Sequence, residues 1–124
     1  MWHYFRHGCA AYVYWNMLLP PGGESTWGWK QNTMITADGA SGAVTYNPEF
    51  HVMKHLAHHV RPGARYVPLR GPHAGFTMLF VNPDGRRVLL AANPAAEPIT
   101  VELAIPGLPA RLALVARSLN TLLA

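Results

Sequence analysis

The side chains best suited to chemistry gather between residues 15 and 32, where three of the four tryptophans, Trp15, Trp27 and Trp29, stand with Asn16 and Asn32. An indole offers a flat apolar face to C–H groups, and an amide offers directional donors and acceptors. At a strand end and along the loop that follows, these residues have two readings: a platform for a ligand with apolar faces and hydroxyls, or aromatic filling at the rim of a core. The six carboxylates are Glu24, Asp38, Glu49, Asp84, Glu97 and Glu102. General acid–base chemistry takes such a group at the site, and only Glu24 falls in the tryptophan-bearing loop. Asp38 and Asp84 read as turn residues, Glu49 as first-turn helix, and Glu97 and Glu102 as part of the β-rich tail, so Glu24 is expected to be a hydrogen-bonding loop residue. His51, His55 and His59 are spaced i, i+4 and i+8, which could bring two imidazoles to one ion, but no cysteine or carboxylate nearby completes a ligand set. No metal and no cofactor are expected.

These residues need elements to position them. "MWHYFRH" followed by Gly8 reads as helix closed by a glycine. Residues 10–19, "AAYVYWNMLL", are apolar on both alternating faces, the pattern of a strand covered on both sides in a parallel sheet; Cys9 at its start is then a small core residue. "MITA" and "AVTYN", joined by residues 38–42, read as a hairpin. Helix 48–60 has Asn47 as N-cap, Pro48 at the first position, Glu49 in the first turn and Arg61-Pro62-Gly63 as terminator. Its apolar arc holds Phe50, Val52, Met53, Leu56, Ala57 and Val60. Beyond Arg65, five β-prone runs spaced by Pro, Asp and Gly ("GFTMLFVN", "RRVLLAAN", "ITVELAI", "ARLALVA", "SLNTLLA") read as an antiparallel sandwich or barrel piece.

Composition narrows the classes. The chain has 124 residues, half of them hydrophobic, which suits one globular domain. Its net charge of +4 comes from eight Arg and two Lys spread thinly, without the clustering of a nucleic-acid footprint. The apolar run at 10–19 is too short to span a bilayer as a helix, and no signal peptide is legible. One cysteine excludes an internal disulfide. No nucleic-acid partner and no transmembrane segment are therefore expected, and localisation is left open: the protein would be secreted if a longer parent carries a signal peptide.

The ordered set Trp15-Asn16, Gly22-Gly23, Trp29 with Asn32, Tyr46-Asn47-Pro48-Glu49-Phe50 and Arg61-Pro62-Gly63, ending in "SLNTLLA", resembles the C-terminal part of glycoside hydrolase family 30, the glucosylceramidases and related β-glycosidases. The resemblance covers essentially the whole chain. It implies an α/β plus all-β fold: the last βα unit of a (β/α)8 TIM barrel at 1–63, with strand 8, substrate loop and helix 8, followed by an antiparallel β-sandwich at 64–124. It also implies an incomplete fragment, whose partner is the missing N-terminal part of the same enzyme, bearing both catalytic glutamates. Barrel enzymes work at the C-terminal ends of their strands, so the resemblance puts Trp15, Asn16, Trp27, Trp29 and Asn32 at the sugar of a carbohydrate or glycolipid substrate. No catalytic residue is implied within the chain. The alternative is a free-standing carbohydrate-binding or structural β-sandwich module.

Overall fold

The computed structural model describes all residues, Met1–Ala124. In chain order the elements are α1 (Trp2–Arg6), β1 (Leu18–Leu19), β2 (Ile35–Ala37), β3 (Val44–Tyr46), α2 (Pro48–Ala57), β4 (Arg65–Val67), β5 (Thr77–Val81), β6 (Arg87–Asn93), β7 (Ile99–Glu102), β8 (Arg111–Leu114) and β9 (Ser118–Leu123). The strands form three sheets, ordered β1-β2-β3, β4-β5-β6-β9 and β7-β8. Contacts divide the chain into two units, Ala11–Lys54 and Met1–Ala10 with His55–Ala124.

In the larger unit, β5 and β6 make a hairpin through Pro83-Asp84-Gly85, where Arg86 N–H donates to the Asp84 carboxylate at 2.9 Å. β9 runs antiparallel along the other edge of β6, from Val88↔Leu123 to Asn93↔Ser118. Alternation then gives the sheet two apolar faces. Met78, Phe80, Val88 and Leu90 pack on one side with Leu56, Trp2, Phe5 and Val60. Ala91 packs on the other with Val101 and Leu114 of the β7–β8 ribbon. Because both faces are covered, Val88, Leu89 and Ala91 are fully buried, at 0% exposure.

Two buried asparagines tie the loops to this sheet. The Asn93 amide donates to the carbonyls of Glu97, Leu114 and Val115, and its oxygen accepts from Ala95 N–H. The Asn82 amide donates to His59 O at 2.9 Å, and its oxygen accepts Arg61 N–H at 3.0 Å. Each holds a segment with no ladder of its own, which the rule that buried polar groups find partners requires.

In the smaller unit, β2 and β3 form the expected hairpin, Ile35↔Tyr46 to Ala37↔Val44. Its turn is held by Asp38, whose carboxylate accepts from Ala40 N–H and the Ser41 hydroxyl. Those two bonds, the hydroxyl first, lower the Asp38 pKa.

The expected fold class is corrected. No terminal βα unit of a TIM barrel forms, and no sandwich follows it. The sole parallel pairing joins the two residues of β1 to β2, with no helix between them. A parallel barrel strand needs partners along its length. Here only Asn16 O and Met17 O, which accept from Met34 and Ile35 N–H, lead into the pairing, so the expected strand over 10–19 shrinks to Leu18–Leu19, and Val13 and Met17 are exposed. In place of a sandwich, one four-stranded sheet carries a two-stranded ribbon against one face. Cys9 is exposed, not core, because the strand it was to begin is absent. α2 ends at Ala57, ahead of Arg61-Pro62-Gly63, in a turn where Leu56 O accepts from His59 and Val60 N–H. β4 was not anticipated. The N-terminal helix closed by Gly8, the hairpin, the start of α2 and the five tail strands stand where expected.

Candidate functional site

Residues 20–33 fold into a small projecting loop. Its neck is a miniature antiparallel ladder: Gln31 N–H donates to Gly23 O at 2.9 Å, Glu24 bridges Lys30, and Ser25 N–H donates to Trp29 O at 2.9 Å. Gly28 N–H closes the tip onto Ser25 O. Gly23 takes φ +70°, and a Cβ there would run into Gln31 O, so the two sides of the neck meet this closely only because position 23 is glycine. The tip displays Trp27 and Trp29, ring centres 6.2 Å apart and tilted by 35°.

The neck lines a cavity of about 330 Å³ with Gly22, Gly23, Gln31, Asn32, Thr33, Thr36, Asn47, Pro48 and Glu49. Its polar walls are largely fixed by their own bonds. The Asn16 amide donates to Gln31 Oε1 at 2.6 Å, and the Thr33 hydroxyl bonds the carbonyls of Asn16 and Ile35. The Asn47 amide donates to Thr33 O and to Thr36 Oγ1, both at 2.9 Å, so this residue secures the hairpin to the loop as well as beginning the helix. Glu49 is the one carboxylate on the wall. Tyr14, in the same unit, has its pKa raised, chiefly by burial and then by the charges of Glu49 and Tyr12.

Of the five residues expected to contact substrate, Asn32 lines the cavity, Asn16 braces it through Gln31, and Trp27 and Trp29 form a tilted pair at the loop tip. Trp15 adjoins Asn16 across a cis peptide bond and is exposed. The three indoles are 69%, 71% and 64% exposed for Trp15, Trp27 and Trp29, so none fills a core in this structure. Gln31, Thr36, Asn47 and Glu49 were not anticipated as lining residues. Their signal was their place at the loop and hairpin ends, but Asn47 and Glu49 already had a helix-start role that accounted for them. No group of three or more His, Cys, Asp or Glu side chains is placed to hold a metal ion. His55 instead bonds Thr121 Oγ1 through Nδ1 at 2.8 Å. No helix is long and apolar enough to cross a membrane.

No protein-family model and no curated protein matches the chain. Solved structures do. SrfJ from Salmonella typhimurium aligns over 99% of this chain with a TM-score of 0.83 and 28% sequence identity. The endo-β1,6-glucanase BT3312 aligns over 86% with a TM-score of 0.68 and 16% identity. The chain spans 30% of the first and 25% of the second. This chain therefore has the fold of a portion of each, and one of the two is a glycoside hydrolase.

Proposed function

We propose that this chain is the sugar-contacting portion of a retaining β-glycosidase of the glycoside hydrolase family 30 kind, acting on β-glucosides of the glucosylceramide type. Trp15, Trp27 and Trp29 offer indole faces to the C–H faces of the sugar, while Asn32, with Asn16 behind Gln31, reads its hydroxyls. The observation that carries the reading is the tilted, exposed Trp27–Trp29 pair at the tip of the loop whose neck lines an amide-bearing cavity: buried area favours neither indole's position, whereas a sugar would cover both. The ordered motifs of the sequence and the glucanase among the structural neighbours support it.

Retaining hydrolysis takes two carboxyl groups about 5–5.5 Å apart, one as acid/base and one as nucleophile. Glu49 is alone on the cavity wall, so the reading assigns both catalytic carboxylates to residues outside these 124. A free-standing carbohydrate-binding module is the second reading, favoured by the same solitary carboxylate. The test is to titrate the 124-residue chain with a β1,6-linked gluco-oligosaccharide while following tryptophan fluorescence. A saturable change that Trp27→Ala and Trp29→Ala each weaken at least tenfold is expected. A flat titration, or one that both variants leave intact, defeats both readings. Hydrolysis of an activated β-glucoside by this chain alone would defeat the assignment of the carboxylates elsewhere.

A further inference from the structure

The larger unit contains a second cavity, of about 450 Å³, that the proposed sugar site does not use. One wall is the loop Pro68–Ala74 between β4 and β5, the other is β7 and its continuation to Ile105, and the floor is Thr77 and Val101. Both floor residues are buried. The loop is held in shape by its own bonds: Ala74 N–H to Gly71 O at 3.1 Å, Phe76 N–H to His73 O at 3.0 Å, and the Thr77 hydroxyl to His73 O at 3.1 Å. Pro68 and Pro72 restrict it further. The cavity is preformed, which lowers the ordering cost of binding.

Its chemistry is divided. Leu69, Val101, Leu103 and Ile105 supply apolar wall, while Arg70 and His73 supply donors. No side chain of this protein pairs with the Arg70 guanidinium; the one ion pair of the chain is Arg111–Glu102 at 3.3 Å. That pair also engages Glu102, the only carboxylate on the cavity wall. A third set of donors comes from backbone. Leu103 N–H donates to Ala110 O at 2.8 Å, and Val101 and Ile99 share its parity in the β7–β8 register. The N–H groups of Thr100, Glu102 and Ala104 therefore point away from β8, on the edge of β7 that no strand covers.

We infer that this cavity binds a small organic monocarboxylate with an apolar body. The planar guanidinium of Arg70 matches a carboxylate as a two-pronged donor, and a hydrocarbon or aromatic body of modest size fits the Leu69, Val101, Leu103 and Ile105 walls. The inference stands apart from the sugar reading, since all of its residues lie in the other unit.

The probe is 4-phenylbutyrate, with 4-phenylbutanol as the same body lacking the charge, each titrated into the isotope-labelled 124-residue chain and followed by amide chemical shifts. Saturable shifts confined to residues 68–77 and 100–105 are expected with the carboxylate, at least tenfold weaker binding of the alcohol, and at least tenfold weaker binding of the carboxylate by Arg70→Gln. Arg70 is exposed and carries no internal bond, so that substitution leaves the fold intact; a second variant, Leu103→Ala, should weaken acid and alcohol alike. Equal affinity for acid and alcohol, an unaffected Arg70→Gln protein, shifts lying elsewhere, or no binding at millimolar probe would each overturn the inference.

Discussion

The two units of this chain use apolar residues in opposite ways. In Met1–Ala10 with His55–Ala124, the strands β5 and β6 bury nearly every side chain, and the polar residues that enter the interior, Asn82 and Asn93, are fully engaged with backbone. In Ala11–Lys54, Leu19 is the one buried hydrophobic residue, while Val13, Trp15, Met17, Leu18, Trp27, Trp29, Val44 and Tyr46 are exposed. The first unit is stabilised by packing. The second is held by side-chain-to-backbone bonds around its loop and leaves its large apolar surface open to something else. An exposed cluster of that kind marks an interaction surface more often than a structural one.

The contrast is sharpened most by cutting into the sheet. Leu90→Ala removes a side chain packed with Phe80, Val88 and Leu56, and should lower unfolding free energy by about 2–5 kcal/mol in urea titrations. A loss below about 1 kcal/mol would mean that the core is not where packing places it. Asn93→Ala strips the donors from three carbonyls and the acceptor from Ala95 N–H; about 1–3 kcal/mol is expected, since a buried partner left unmatched costs that much. Asn93→Asp should be worse, because a carboxylate would then face those same carbonyl oxygens.

In the smaller unit the sensitive position is backbone, not core. Gly23→Ala meets both an unfavourable φ and Gln31 O, so a destabilisation of about 1–3 kcal/mol is expected, together with altered amide shifts at Gln31 and Asn32. Unchanged shifts would show that the neck tolerates a wider approach. Trp27→Ala and Trp29→Ala should change stability by no more than about 0.5 kcal/mol, as exposed substitutions do, while weakening sugar binding. A large stability loss from either would erase the distinction between the units.

The smallest effect expected is electrostatic. The His59 pKa is lowered from 6.5, first by burial and then by the charges of His58, His55 and Arg61. The unfolded chain then takes up its proton at higher pH than the folded one, so stability should be level above about pH 6.5 and decline slightly as pH falls below it. An NMR titration in which the His59 midpoint sits at or above that of a free histidine would contradict this.

Local chemistry determined a good deal of the chain. Turn residues at 38–42 and 83–85, the Asn-Pro-Glu start of α2 and the apolar runs between 76 and 123 each specify an element within a few residues, because turns, caps and side-chain alternation are short-range effects. That Trp27, Trp29 and Asn32 lie on a loop was legible for the same reason. Tertiary structure alone decided which runs become ordered strands and what each strand pairs with. Residues 10–17 look as strand-like as residues 87–93, yet only the latter form a long strand, since β6 has both β5 and β9 beside it, whereas the former pair with a neighbouring segment only at Asn16 and Met17. The same holds for the cavity wall. Gln31 comes from the loop and Asn47 and Glu49 from the start of α2, and nothing in their spacing reveals that Asn47 reaches Thr33 and Thr36, because a side-chain bond across the chain depends on where the backbone has already been brought.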